Sequence, residues 1–163
     1  MTIIADSARG HILNYLEQVK SEIEEIAVSK NMVATRRTLN SLQVIPSDTG
    51  GKLVAAEHII YLEDGRGPTS PTGPYMKSPD GKSLTETIAA WIDAKGLDLN
   101  PYAVAKKIHK EGTKLYRQGG KSGVLSIPLA VPGLSDLYAE IATMYRQQIS
   151  SEIYSPINEL QNA

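Results

Sequence analysis

Between residues 65 and 82 the chain carries Gly65, Gly67, Pro68, Pro71, Gly73, Pro74, Pro79 and Gly81, and this density limits what can fold around it. Proline removes an amide donor and fixes φ, and glycine loses the most backbone entropy on ordering, so no helix or strand crosses such a stretch. Regular elements must come from the residues on either side. The segment itself is predicted as a long arm, stiffened by its prolines, of a length that usually carries function in a compact domain. With 163 residues in all, the chain reads as a single domain, 1–163, with that arm at 65–82.

Before the arm, Asp6 and Ser7 can cap a helix on which Ile12, Leu16, Val19, Ile23 and Ile26 recur at steps of four and three. Glu17, Lys20, Glu22, Glu24 and Glu25 fill the other positions, which gives one packed face and one wet face. The stripe ends at Ser29-Lys30-Asn31, too soon for a sustained heptad seam, so the helix is expected to lie on a sheet. A short helical segment is expected between Thr35 and Leu42. Strand-like residues 42–45 and 52–56 flank the turn Ser47-Asp48-Thr49-Gly50-Gly51, which predicts a β-hairpin covered by the first helix. Glu57 to Asp64 is read as a short helix.

After the arm, Ser83 with Glu86 forms a capping-box pattern opening a helix with Ile88, Trp91 and Ile92 on its apolar side and Gly96 at its end. Asn100-Pro101 starts the next, with Val104, Ala105 and Ile108 leading to Gly112, and the two predict a helical hairpin. Gln118 to Gly123 reads as a flexible turn. Val124 to Ile127 is either a strand closing the sheet or an extended segment docked elsewhere. A last helix opens at Leu134 or Ser135, carries Leu137, Ile141, Met144, Tyr145 and Ile149, and is expected to break at Pro156. The expected class is α+β: a small antiparallel sheet packed by a long N-terminal helix, with a helical hairpin and a C-terminal helix.

The chemistry-bearing residues form no catalytic constellation. Gly119-Gly120-Lys121-Ser122 lacks the earlier glycine of a phosphate-binding loop, and Gly65-Arg66-Gly67 lacks the third glycine of a dinucleotide fingerprint. His11, His58 and His109 have no metal-ligand spacing, no cysteine is present, and no Gly-x-Ser-x-Gly elbow occurs. No enzyme activity, cofactor or metal is expected. A net charge of −1 gives no global field toward nucleic acid or an anionic membrane, and no apolar run approaches the length of a bilayer span. The residues at the N-terminus do not form a classical export signal.

Two surfaces remain. Glu63, Asp64 and Arg66 place both charge signs at the start of the arm, and with Pro68, Pro71, Pro74 and Tyr75 they are candidates for contacts between copies of the chain. Lys106, Lys107, Lys110 and Lys114 form a basic cluster, with 106, 110 and 114 in one row of a continuous helix, that could face a partner or a phosphate backbone. Glu111 in the same turn and the lack of interleaved arginines and aromatics weigh toward a solvated face.

Taken in order, Tyr61-Leu62-Glu63-Asp64-Gly65-Arg66-Gly67-Pro68, the helix end Trp91-Ile92-Asp93-Ala94-Lys95-Gly96 and Ala103 to Thr113 resemble the neck and tail-completion proteins of tailed bacteriophages. The similarity covers roughly the middle third of the chain. There is a narrower similarity to ring proteins of crAss-like phages, whose particles stack several rings below the portal. The resemblance implies an α+β virion component, assembled in the host cytoplasm, that forms a closed homo-oligomeric ring around the DNA exit channel. Its partners would be the portal, other connector rings or tail proteins, with non-specific contact to genomic DNA. The long Pro/Gly arm and the extended last helix depart from siphovirus relatives. A nucleic-acid-binding module using the lysine face is the alternative reading.

Overall fold

The computed structural model describes residues 2–69 and 81–161, with side chains described for 7–69, 81–130 and 133–152. Pro71, Pro74 and Tyr75, and most of the arm with them, lie outside the described residues.

The first helix, α1 (Thr2–Ser29), begins earlier than the Asp6-Ser7 cap signal. No proline or glycine precedes Asp6, and Asp or Ser inside a helix costs only a few tenths of a kcal/mol, so nothing stops the helix from extending toward the N-terminus. It ends where expected. Asn31 takes a left-handed φ of 54°, Met32 N–H donates to the Ala27 carbonyl at 3.0 Å and Asn31 N–H to the Val28 carbonyl at 2.9 Å, satisfying carbonyls that the last turn leaves open.

A 3₁₀ turn (Leu39–Ser41) leads into β1 (Gln43–Ser47), which pairs antiparallel with β2 (Gly50–Val54) in register Ser47↔Gly50 to Gln43↔Val54. The hairpin is the whole sheet among the described residues. Helix α1 lies across it. A Cβ on Gly51 would stand 2.7 Å from Leu13 and 3.2 Å from Leu16, and one on Gly50 would stand 3.2 Å from Ile12, so the paired glycines let the helix sit close to the strands. Arg9 Nε also donates to the Ser47 carbonyl at 2.7 Å, fixing the turn end of the hairpin to the helix.

Further along α1, Val19, Ile23 and Ala27 recur every four residues and form the core with Leu39, Leu42, Ile59 and Val124. The α+β expectation with a hairpin under a long helix is the observed architecture. Val124 to Ile127 forms neither a strand nor an extended segment. The stretch winds through turns, with Ile127 N–H to the Gly123 carbonyl and Leu129 N–H to that of Leu125, and Val124 is the core plug at 0 % exposure.

After a 3₁₀ turn at Glu57–Ile59 comes the short α2 (Ile60–Asp64), and beyond the arm α3 (Leu84–Lys95) and α4 (Pro101–Glu111) pack as the predicted helical hairpin. Both caps behave as read. Ser83 Oγ accepts from Glu86 N–H at 3.2 Å while Ser83 N–H donates back to Glu86 Oε2 at 2.7 Å, and Asn100 Oδ1 accepts from Ala103 N–H at 3.1 Å. Lys95 Nζ ties the hairpin to the C-terminal end of α1 by donating to the Asn31 side-chain oxygen at 2.6 Å and to its carbonyl at 3.1 Å.

The short α5 (Lys114–Arg117) follows, and α6 (Val131–Gln161) packs antiparallel on the N-terminal half of α1, with His11 Nδ1 3.2 Å from Glu140 and Tyr15 beside Gly133. The break expected at Pro156 does not occur: α6 continues to Gln161. Proline removes one intrahelical hydrogen bond and crowds the preceding turn, which kinks a helix as readily as it ends one.

Candidate functional site

The start of the arm is bolted along the stretch 109–126. Arg66 N–H donates to Thr113 Oγ1 at 3.0 Å, Thr113 N–H to the Arg66 carbonyl at 2.8 Å, and Thr69 N–H to the His109 carbonyl at 2.9 Å. On the other side of Gly65, Ser122 N–H donates to the Glu63 carbonyl at 2.9 Å and Ser122 Oγ to the Leu62 carbonyl at 2.6 Å. Two segments about fifty residues apart in sequence therefore run side by side. This close approach requires glycine. Gly65, at φ 74°, leaves no room for a Cβ, which would collide with the Tyr116 backbone nitrogen and come to 2.6 Å from Thr113 Oγ1. Gly112, at φ 78°, is pressed on Arg66 in the same way: a Cβ there would stand 2.8 Å from the Arg66 carbonyl oxygen.

Glu63 is the anchor of this junction. Its side chain is only 9 % exposed, and its carboxylate accepts from Leu125 N–H at 2.8 Å, Ser126 Oγ at 2.7 Å and Gly123 N–H at 3.2 Å, with longer contacts from Ser126 N–H and Ser122 Oγ. The 122–126 loop wraps its amides around the carboxylate, a concave donor cluster of the kind that holds anions. Burial pushes the carboxyl pKa up, but the donors from Leu125, Ser126 and Gly123 outweigh it and hold the group below its ordinary range.

This corrects the expectation that Glu63 offers an acid to a neighbouring copy, because its lone pairs are consumed inside the chain. Asp64 and Arg66 remain: Asp64 is exposed, Arg66 is half-buried, and neither side chain makes a hydrogen bond or ion pair among the described residues. Pro68 is exposed, just before Thr69, whose N–H is the junction's bond to the His109 carbonyl.

The basic cluster is also rearranged. Gly112 ends α4 and Thr113 caps α5 through Tyr116 N–H, so Lys114 belongs to a new helix and leaves the row predicted for 106, 110 and 114. Lys106, Lys107 and Lys110 do share the outer face of α4, all exposed, with Tyr102 and Ala103 completing it. Glu111, the acid expected to dilute this face, is taken by Arg117 Nη1 at 2.6 Å.

Elsewhere, an open groove of about 480 Å³ between α1 and α6 is lined by His11, Ala139, Glu140, Thr143, Met144 and Gln147, with no nucleophile set against a base. Among the described residues no group of three or more histidine, aspartate or glutamate side chains is placed to hold a metal ion, and no helix is long and apolar enough to cross a membrane. No protein-family model, curated protein or solved structure matches the chain.

The Ser122–Ser126 clasp was not foreseen from the sequence. Ser-Gly-Val-Leu-Ser offers two hydroxyls and a run of free amides next to an apolar plug, but nothing local indicates which acid it holds.

Proposed function

We propose that this chain is a structural connector protein of a tailed-phage particle, whose copies join into a closed ring in the head-to-tail region around the DNA exit channel. One observation carries the reading beyond the resemblance in sequence. Tyr61 to Pro68 and the stretch through Glu111-Gly112-Thr113, two of the three segments that bear the resemblance, form one hydrogen-bonded junction, and their glycines serve close backbone approach rather than ligand binding. Such a junction is a rigid mount. It holds the root of the arm in one direction while leaving Asp64 and Arg66 outside for a neighbouring copy, as repeated heterologous contacts require.

The partners proposed are further copies of the chain and the portal, other connector rings or tail proteins. The test is mass photometry of the purified protein, alone and mixed with portal and tail proteins. Discrete masses at one multiple of the protomer support the ring. A strictly monomeric species under both conditions contradicts it.

A nucleic-acid-binding module is the second reading, favoured by the acid-free outer face of α4. It predicts DNA affinity that falls steeply with salt and with neutralisation of Lys106, Lys107 and Lys110.

A further inference from the structure

The outer face of α4 presents Lys106, Lys107 and Lys110 without an acid among them, since Glu111 is bound to Arg117. None of the three lysines makes a hydrogen bond or ion pair among the described residues. Tyr102 is 65 % exposed on the same helix face, and the link just before α4 exposes Leu97 and Leu99 with Asp98 between them. Exposed apolar side chains bordered by charged ones have the anatomy of a protein-binding surface, an apolar centre with a polar rim. A phosphate backbone would leave the two leucines uncovered, so the composition favours a protein partner with acidic and apolar residues.

The chain itself carries such a surface. On α1, Glu24, Glu25 and Val28 lie together on the outer side, one turn beyond Lys20, whose ammonium stands 3.4 Å from Glu17. Glu25 and Val28 are exposed, Glu24 is half-exposed, and neither Glu24 nor Glu25 has a hydrogen-bond or ion-pair partner among the described residues. The three lysines of α4 and the unpaired Glu24 and Glu25 of α1 thus sit on different helices of one protomer, with no ion pair between them among the described residues.

We propose that the outer face of α4 receives the acidic face of α1 from the next copy, with Lys106, Lys107 and Lys110 opposite Glu24 and Glu25 and the leucines and Tyr102 meeting Val28. The inference rests on the ring reading and names its contact. Two different, complementary surfaces make a heterologous interface, which propagates from copy to copy and closes if the rotation permits. The charges would set register and suppress wrong pairings, and the apolar centre would supply much of the affinity.

A charge-swap experiment tests this. One variant carries K106E, K107E and K110E and a second carries E24K and E25K. All five positions are at least partly open to solvent, and circular dichroism checks that each variant folds. Self-association is followed by sedimentation velocity as a function of concentration. Each variant alone then sets like charges against each other and should associate at least about tenfold more weakly than wild type, because like-charge juxtaposition costs several kcal/mol. An equimolar mixture of the two should recover wild-type strength of association, with the two variants alternating, because each now offers what the other lacks.

Wild-type association by both variants alone overturns this interface and leaves the ring standing. Weak association that the mixture fails to restore overturns the pairing of α1 with α4. A wild-type protein that stays monomeric at every concentration, with and without portal and tail proteins, overturns the ring and this contact with it. If the lysine variant assembles normally but loses DNA retention, the face belongs to nucleic acid and the proposal is wrong.

Discussion

Replacing Glu63 with Gln probes the junction through its most connected atom pair. The carboxylate is acceptor-only and faces N–H groups from Gly123 and Leu125 and the Ser126 hydroxyl, at 3.2, 2.8 and 2.7 Å. An amide presents an NH₂ group where one of those oxygens stood. With the NH₂ at the Oε1 position the Ser126 hydroxyl can turn to accept, but Gly123 N–H is left facing a donor. With the NH₂ at Oε2, Leu125 N–H is the one orphaned. Either way one buried amide loses its partner, and the remaining bonds lose their charge assistance. A bond to a charged group contributes about 1.5–3 kcal/mol and an orphaned buried amide costs about 1–3 kcal/mol, so Glu63→Gln should destabilise the fold by about 2–4 kcal/mol.

The assay is urea or thermal unfolding, in which that loss corresponds to a drop in Tm of roughly 5–15 °C for a domain of this size. The pH dependence has a definite sign. A carboxyl held below its ordinary value of 4.5 in the fold contributes stability that is present above that value and drains away as the pH falls through the lower folded-state value. Wild type should therefore lose ground relative to Glu63→Gln as the solution is acidified through that window. A variant within about 0.5 kcal/mol of wild type at neutral pH, or a difference that does not shrink on acidification, refutes the clasp as described.

Other substitutions test neighbouring parts of the account. Gly65→Ala adds a methyl group against the Tyr116 backbone and Thr113 at a φ of 74°, and should cost about 2–4 kcal/mol in the same unfolding assay, whereas a neutral result would mean that the two segments are not in close contact. Ser83→Ala removes a capping box and should cost about 1 kcal/mol, read from the unfolding midpoint, with no effect on association. Arg66→Glu places an acid next to Asp64 at the exposed edge of the junction. It should leave the circular dichroism spectrum and Tm unchanged while weakening self-association, and normal assembly would reduce the segment to a turn.

Much of the fold could be read because its signals are local. The Ser83–Glu86 and Asn100–Pro101 caps and Gly96 and Asn31 at helix ends each depend on a few adjacent residues and appear where expected, whereas the hairpin turn is tighter than the expected Ser47 to Gly51, because Ser47 and Gly50 already pair and only Asp48-Thr49 connect the strands. The extension of α1 to Thr2 and of α6 beyond Pro156 was missed because capping and breaking preferences of about a kcal/mol or a few yield to the surrounding chain. The site was less legible. Glu63 reads as an acid for a neighbour because its donors lie about sixty residues away, in the end of a stretch that reads as a flexible turn and in a run, Val124 to Ile127, that reads as a strand or docked extended segment. Lys114 was placed on the row of Lys106 and Lys110 because periodicity alone does not register that Gly112 must leave the helix to make room for Arg66.

In the proposed closed assembly the root of the arm lies against a neighbouring copy. Electron microscopy of the full chain, assembled alone or on its portal and tail partners, tests it most directly. The proposed ring gives rotationally symmetric particles with Asp64 and Arg66 at the boundary between adjacent protomers. Symmetric rings in which that edge faces solvent, or the absence of any ring with every partner present, would contradict it.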